Sequence, residues 1–161
     1  MSQQDVEVVR EHLAPHEGEE VLPVIKALLD RIGPDPRPEA VLATLADDPG
    51  WRLTDRDIEG DMSATGMGGV AHGVRELAVW WGVWVAVWSS QSYRMREYRD
   101  MGDAVLTVAD VHATARGYSV DPEIFQVWQV KDGKIVLMRA FLSEADALKA
   151  VEGLGGGGAG A

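Results

Sequence analysis

The chain has 161 residues, 46% of them apolar and 25% charged, a balance that suits one globular domain with its own core. Its formal charge of −11, with no cluster of Lys or Arg set against it, repels phosphate backbones and anionic lipid surfaces, so no nucleic acid and no membrane is expected as a partner. Cysteine is absent, which removes disulfides, thiolate nucleophiles and thiolate metal sites together.

The opening MSQQDVEVVR is acidic and amphipathic and does not read as a signal peptide, so a cytoplasmic location is expected. Val6, Val9 and Leu13 follow helical spacing, which predicts a short helix over Asp5–Leu13 closed by Pro15 and Gly18. From Glu19 to Ile32 a second stripe (Val21, Leu22, Ile25, Leu28, Leu29, Ile32) predicts a stronger helix, with Pro23 tolerated only near its first turn. GPDPRP breaks the chain, and Pro38–Leu45 supports a third helix. Trp51–Thr54 reads as a short strand, and the polar, Gly-rich run Asp55–Gly69 as a loop of a length that often covers a site.

Gly73–Ser90, GVRELAVWWGVWVAVWSS, holds four of the six tryptophans and no charge after Glu76. Alternation aligns Trp80, Trp84 and Trp88, as a strand would, but about 18 uninterrupted residues exceed ordinary strand length and favour a buried helix. Two glycines and a Ser-Ser-Gln-Ser ending argue against a membrane span. At 100° per residue, Leu77, Trp81, Trp84 and Trp88 share one stripe, with Val79, Gly82 and Ala86 opposite.

The texture then becomes that of strands: Ser92–Arg99, Ala104–Arg116, Glu123–Lys131 and Lys134–Leu142, joined by short links that imply antiparallel neighbours. Lys131-Asp132-Gly133-Lys134 is the clearest hairpin signal. Ser143 has N-cap chemistry for a closing helix, Glu144–Leu154. Residues 1–154 are thus expected to form one α+β domain, and the GGGGAGA segment, 155–161, a disordered tail.

These pieces in this order resemble the SnoaL-like branch of the nuclear transport factor 2-like superfamily, whose relatives include ketosteroid isomerases and polyketide cyclases. The resemblance rests on MSQQDVEVVR, LADDPGW, GVRELAVWW, GDAVLTV and FQVWQVKDGKIVLMRAFLSEADAL; the segment 11–37 is longer than the family usually has there. It implies a cone-shaped, curved antiparallel sheet wrapped around the long helix, an apolar cavity inside, and no cofactor. Matching to the ketosteroid isomerase branch puts Leu106, Val108, Asp110, His112 and Thr114 on the cavity face. Gln126, Trp128 and Val130 join them from the next strand, and Met138, Ala140 and Leu142 from the last. Phe125, Val127, Arg139 and Phe141 then lie on the convex face, through which a homodimer is expected, and Trp81, Trp84 and Trp88 look toward the sheet.

Residues i and i+2 of a strand share a face, so Asp110 and His112 would bring a carboxylate and an imidazole into an apolar chamber, where either can do acid/base work. The same pair also reads as a buried structural hydrogen bond, or as a solvent-facing pair if the strand phase differs. Departures from the catalytic relatives are plain: Gln126 stands where they place an acid, Leu53 where they place the base, with Asp55 two residues on, and Ile25 where they place a tyrosine. An Asp-Arg-Asp set of the epoxide hydrolase kind finds only Asp110 and Arg116.

Two functions follow as expectations. One is cofactor-free acid/base catalysis, isomerase-like or cyclase-like, on a small cyclic or polyketide-like carbonyl compound, with Asp110 and His112 catalytic. The other is a non-catalytic small-molecule-binding or dimerisation module. In both, a small apolar ligand would meet Gln126, Trp81, Trp84, Trp88, Trp128, Met138, Leu142 and Asp55. No metal is expected: His12 and His16 have the i, i+4 spacing of a ligand pair, but Pro15 between them favours a surface reading. Gly66, Gly68 and Gly69 lack the strand and the Lys-Ser/Thr of a phosphate loop. Arg94, Arg96 and Arg99 read as a solvated strand edge.

Overall fold

The computed structural model describes residues 2–160. Three helices come first: α1 (Ser2–Leu13), α2 (Val21–Ile32) and α3 (Pro38–Leu45). α2 buries Val21, Leu22, Ile25, Leu28 and Ile32, the predicted stripe apart from a partly covered Leu29, and Pro23 sits in its first turn, where a missing N–H costs nothing. Pro15 does not end the helical path at α1. It sits inside a 3₁₀ turn, Ala14–His16, that follows α1 without a break.

Trp51–Leu53 forms another 3₁₀ turn rather than a strand, and the strand β1 runs over Thr54–Asp61, within the run expected to be a loop. Thr54, Ile58 and Gly60 are buried while Arg56 and Asp57 are exposed, so this acidic sequence is held by pairing on both edges and not by strand propensity. β2 (Val70–His72) follows, then α4 (Gly73–Val87), the predicted tryptophan helix. α4 buries Val74, Leu77, Ala78, Trp81 and Trp84, while Val79, Val83 and Val87 on the opposite side are exposed. Among the described residues no helix is long and apolar enough to cross a membrane.

The meander consists of β3 (Ser90–Asp100), β4 (Val105–Ala115), the short β5 (Tyr118–Val120), β6 (Glu123–Lys131) and β7 (Lys134–Phe141). One sheet results, in the order β2-β1-β7-β6-β4-β3, with β5 paired to β4. Its pairings are antiparallel, as expected, except β1 with β7, which is parallel. The β6–β7 hairpin turns through Asp132 (φ 52°) and Gly133 (φ 76°), the left-handed pair of a type I′ turn.

Register decides which residues face inward. β4 pairs with β6 as Val105↔Trp128, Thr107↔Gln126 and Ala109↔Ile124, and directly opposed residues share a face. The odd-numbered residues of β4 therefore accompany Gln126 and Trp128, while Leu106 and Val108 accompany Phe125 and Val127 on the convex side. This corrects the expected phase of β4 by one residue. Every residue from Ala104 to Ala109 is buried, so alternation carried no phase there.

The convex face is covered from within the chain. The last helix, α5 (Glu144–Gly160), lays Ala147 and Val151 on Leu106, Val108, Phe125 and Val127, with Phe141 packed alongside. α5 also continues past Leu154 into the glycine-rich segment for which no order was expected; Ala161 lies outside the described residues.

At the far edge of the sheet, the segment after α1 seals β3. Glu17 Oε2 accepts the Met95 N–H (2.6 Å), Glu20 Oε2 accepts the Gln91 N–H (2.7 Å), and the Gly18 N–H donates to the Tyr93 carbonyl (2.8 Å). These bonds hold the start of α2 against the sheet.

A methyl group at Gly133 would meet nothing within 4 Å, so only backbone preference opposes a side chain there. Gly133→Ala is expected to lower stability by about 1 kcal/mol, measured as a shift of the urea midpoint at constant slope.

Candidate functional site

Between α4 and the concave face of the sheet lies a cavity of about 170 Å³. α4 contributes Leu77, Trp80, Trp81 and Trp84; the sheet contributes Ala109, Val111, Ala113, Ile124, Gln126, Trp128 and Met138. Small residues on β4 face large rings on α4, which is why any space remains between them.

Of the residues expected to meet a ligand, Trp81, Trp84, Gln126, Trp128 and Met138 line this cavity. Trp88 does not: it is buried one helical turn beyond, its ring 5.6 Å from that of Trp84, among Ala113, Ala115 and Ile124. Leu142 lies past the end of β7 and is half exposed. Asp55 points away from the wall that its neighbour Thr54 joins, and accepts the Asp57 N–H in a local turn (2.9 Å).

Asp110 and His112 are corrected in the same way as their strand. Asp110 stands in solvent 3.7 Å from Arg96, its side chain 60% exposed. His112, 51% exposed, pairs with Asp121 (2.5 Å). Neither lines the cavity, because the register sends the even-numbered residues of β4 to the convex face beyond the cover of α5.

The polar groups of the cavity come from elsewhere, chiefly the N-terminal third of the chain. His16, in the 3₁₀ turn after α1, hydrogen-bonds Glu19 through Nδ1 (3.1 Å) and Asp48 through Nε2 (2.9 Å). Burial disfavours its charged form, but the hydrogen bonds to Asp48 and Glu19 outweigh burial and raise its pKa. Asp48 shows the reverse balance: burial disfavours its charge, yet hydrogen bonds from His16 and from the backbone N–H groups of Trp51 (3.0 Å) and Gly50 (2.8 Å) lower its pKa. Gly50 is required here, since a Cβ would stand 2.9 Å from the His16 ring and 3.1 Å from the His12 carbonyl oxygen.

His12, one turn earlier on α1, is different. It is buried, its ring lying edge-on to Trp51 (centroids 5.1 Å apart) and to Trp128 (5.4 Å). Burial pushes its pKa from the ordinary 6.5 down to about 4, against a hydrogen bond to the Gly50 backbone and the charge of Asp48, so the ring is neutral at pH 7. Its Nδ1 has no hydrogen-bond partner, and the same holds for Trp51 Nε1 and Thr54 Oγ1. All three residues line the cavity.

Gln126 is oriented by a relay. Trp128 Nε1–H, which can only donate, bonds Thr107 Oγ1 (2.9 Å), and the Thr107 hydroxyl then donates to Gln126 Oε1 (3.2 Å). The Nε2 group of Gln126 is left free to donate into the cavity. Among the described residues no Asp or Glu lines it, and Tyr93, which does, spends its hydroxyl proton on the Leu13 carbonyl (2.5 Å). The cavity can therefore bind through shape and neutral hydrogen bonds, and it lacks the carboxylate base expected of the isomerase-like reading.

His12 and His16, read from the sequence as surface residues because of Pro15, are both buried, and Asp48 was not singled out as a site residue. The signal was present: at 100° per residue His12 falls beside Val9 on the buried stripe of α1, and LADDPGW contains Asp48 shortly before the turn whose N–H groups it accepts.

No protein-family model matches the chain, and no curated protein does. Solved structures do. An NTF2-like protein from Burkholderia xenovorans aligns over 94% of this chain and 98% of its own, at 14% identity and a TM-score of 0.56. A Catenulispora acidiphila protein of ketosteroid isomerase-like fold, solved with trimethylamine, aligns over 82% and 94%, at 17% identity and a TM-score of 0.51. TerC, solved with polyporic acid, aligns over 81% and 98%, at 18% identity and a TM-score of 0.52. With its curved sheet closed over α4, the chain has the nuclear transport factor 2-like fold.

The two histidines set opposite pH dependences. In the unfolded chain His12 regains its ordinary pKa of 6.5, so between there and about 4 the unfolded state binds more protons and stability falls as the pH drops. His16, with a raised pKa, contributes stability below its ordinary pKa that is lost as pH rises through the raised one. The His12 contribution is expected to remove about 3 kcal/mol between neutral pH and pH ~4. Urea unfolding measured across that range should show the fall, and His12→Phe should flatten it.

Proposed function

We propose that the protein is a SnoaL-like small-molecule-binding protein whose ligand is a single-ring compound held among the tryptophans of the cavity. The cavity itself carries this reading. Its volume of about 170 Å³ is close to the ~150 Å³ that accepts benzene in an engineered protein core, and well below the ~300 Å³ at which drug-sized pockets begin. A steroid or a fused polyketide does not fit that space. Aromatic faces from Trp80, Trp81, Trp84 and Trp128 supply stacking and edge contacts for a ring of six to ten heavy atoms, as an order-of-magnitude fit.

Two structural neighbours of the same fold were solved with small molecules, polyporic acid in one and trimethylamine in the other, which supports placing a ligand in this protein as well. Binding is favoured over acid/base catalysis because, among the described residues, the ionisable side chains on the wall are His12, neutral and weakly basic, His16, tied at both nitrogens, and Tyr93. The ligand site is complete within one chain, and the convex face on which a homodimer was expected already carries α5.

The test is a titration with ring compounds, followed by intrinsic tryptophan fluorescence and by the indole N–H resonances of the tryptophans. Toluene and ethylbenzene are expected to give saturable changes, and a steroid none. Ala109→Leu, which fills the cavity from its β4 wall, should abolish the response, while Asp110→Asn and His112→Asn should leave the affinity within about twofold. A flat response to every single-ring compound would remove the proposal.

A further inference from the structure

The buried polar atoms left without partners among the described residues are three, His12 Nδ1, Trp51 Nε1 and Thr54 Oγ1, and all belong to residues on the wall of one cavity. Buried polar groups are almost always hydrogen-bonded, and leaving one unsatisfied costs free energy. Chance placement would scatter such atoms over the structure. Here they gather at one end, where α1 meets the 3₁₀ turn Trp51–Leu53 and the start of β1, with the His12 and Trp51 rings in edge contact.

Their chemistry is directional. An indole N–H can only donate, a threonine hydroxyl can donate or accept, and a neutral imidazole nitrogen does one or the other according to its tautomer. Gln126 Nε2, at the sheet side, is a further donor. The Trp51 indole, the Thr54 hydroxyl and the Gln126 amide can therefore donate to an oxygen with lone pairs to offer, while His12, whose neutral ring already donates to the Gly50 backbone, leaves Nδ1 as an acceptor.

Charge narrows the class. The basic side chain on the wall at this end, His16, is met by two carboxylates, Asp48 and Glu19, and the chain as a whole carries −11. An anionic ligand would enter an apolar cavity with no uncompensated positive charge to meet it, at a heavy desolvation cost.

Resting on the binding proposal above, we infer that Trp51 and Thr54, with Gln126, form a polar subsite that selects a neutral single-ring ligand bearing a hydrogen-bond-accepting oxygen, such as an aryl ketone. The ring lies among the α4 tryptophans, and the oxygen points to the α1 end.

Three probes of similar size separate the possibilities: acetophenone, ethylbenzene and benzoate, titrated against the folded full-length chain. Acetophenone is expected to bind about tenfold more tightly than ethylbenzene, and benzoate at least tenfold more weakly than acetophenone. The Trp51 indole N–H resonance should shift downfield with acetophenone and not with ethylbenzene. Thr54→Val, close to isosteric, should shrink the acetophenone-to-ethylbenzene preference about fivefold, and Trp51→Phe should do so if the first variant fails to fold. Equal affinity for acetophenone and ethylbenzene, or a preference for benzoate, overturns the subsite while leaving the binding proposal standing. Failure of both acetophenone and ethylbenzene to bind overturns the binding proposal itself.

Discussion

The carboxylate of Asp48 holds the site together. It receives His16 from the turn after α1, 32 residues away in sequence, and the N–H groups of Gly50 and Trp51 from its own turn before β1, so two segments distant in sequence converge on one side chain. Because both ring nitrogens of His16 end on carboxylates, the turn after α1 is pinned, and His12 one turn earlier is set against Trp51 and Trp128. The partners are largely buried, where removing one charge leaves the other uncompensated. Stability of this corner and geometry of the cavity's polar end are thus the same property.

Charge and function are kept apart spatially. The carboxylates that His16 meets, Asp48 and Glu19, are absent from the wall, whose other polar side chains at this end are a neutral imidazole, an indole and a hydroxyl. In a confined apolar space, fixed neutral donors recognise a ligand without the desolvation cost of an ion pair. The aromatic walls do the remaining work through area, and the small side chains of β4 keep the volume open.

How much of this could be read from the chain follows from which residues carried a one-sided signal. The tryptophan helix, the α2 stripe and the Asp132-Gly133 turn were legible because each combined a strict period or a required backbone conformation with a clear boundary. β4 was legible as a strand and illegible in phase, since α5 and α4 bury both its faces and erase the alternation that would have told them apart. That one-residue slip moved Asp110 and His112 from the convex surface into an imagined active site. β1 was hidden by its acidic composition, which only its neighbours in the sheet override. His12 and His16 were hidden by Pro15, whose usual role as a breaker is replaced here by a place inside a 3₁₀ turn that follows α1 without a break.

The contacts by which Glu17 and Glu20 grip β3 also make the sheet finite. A strand edge is a template for another strand, because its outward N–H and C=O groups lie at the repeat of a ladder. On β3 two of the outward N–H groups are already spent on carboxylates and one carbonyl on Gly18, while at the opposite end β2 is only three residues long. An incoming strand would have to displace charged caps at one end and find almost nothing to pair with at the other. Considered as a growing polymer, the sheet is capped over 91–95 at one edge and runs out in a three-residue strand at the other.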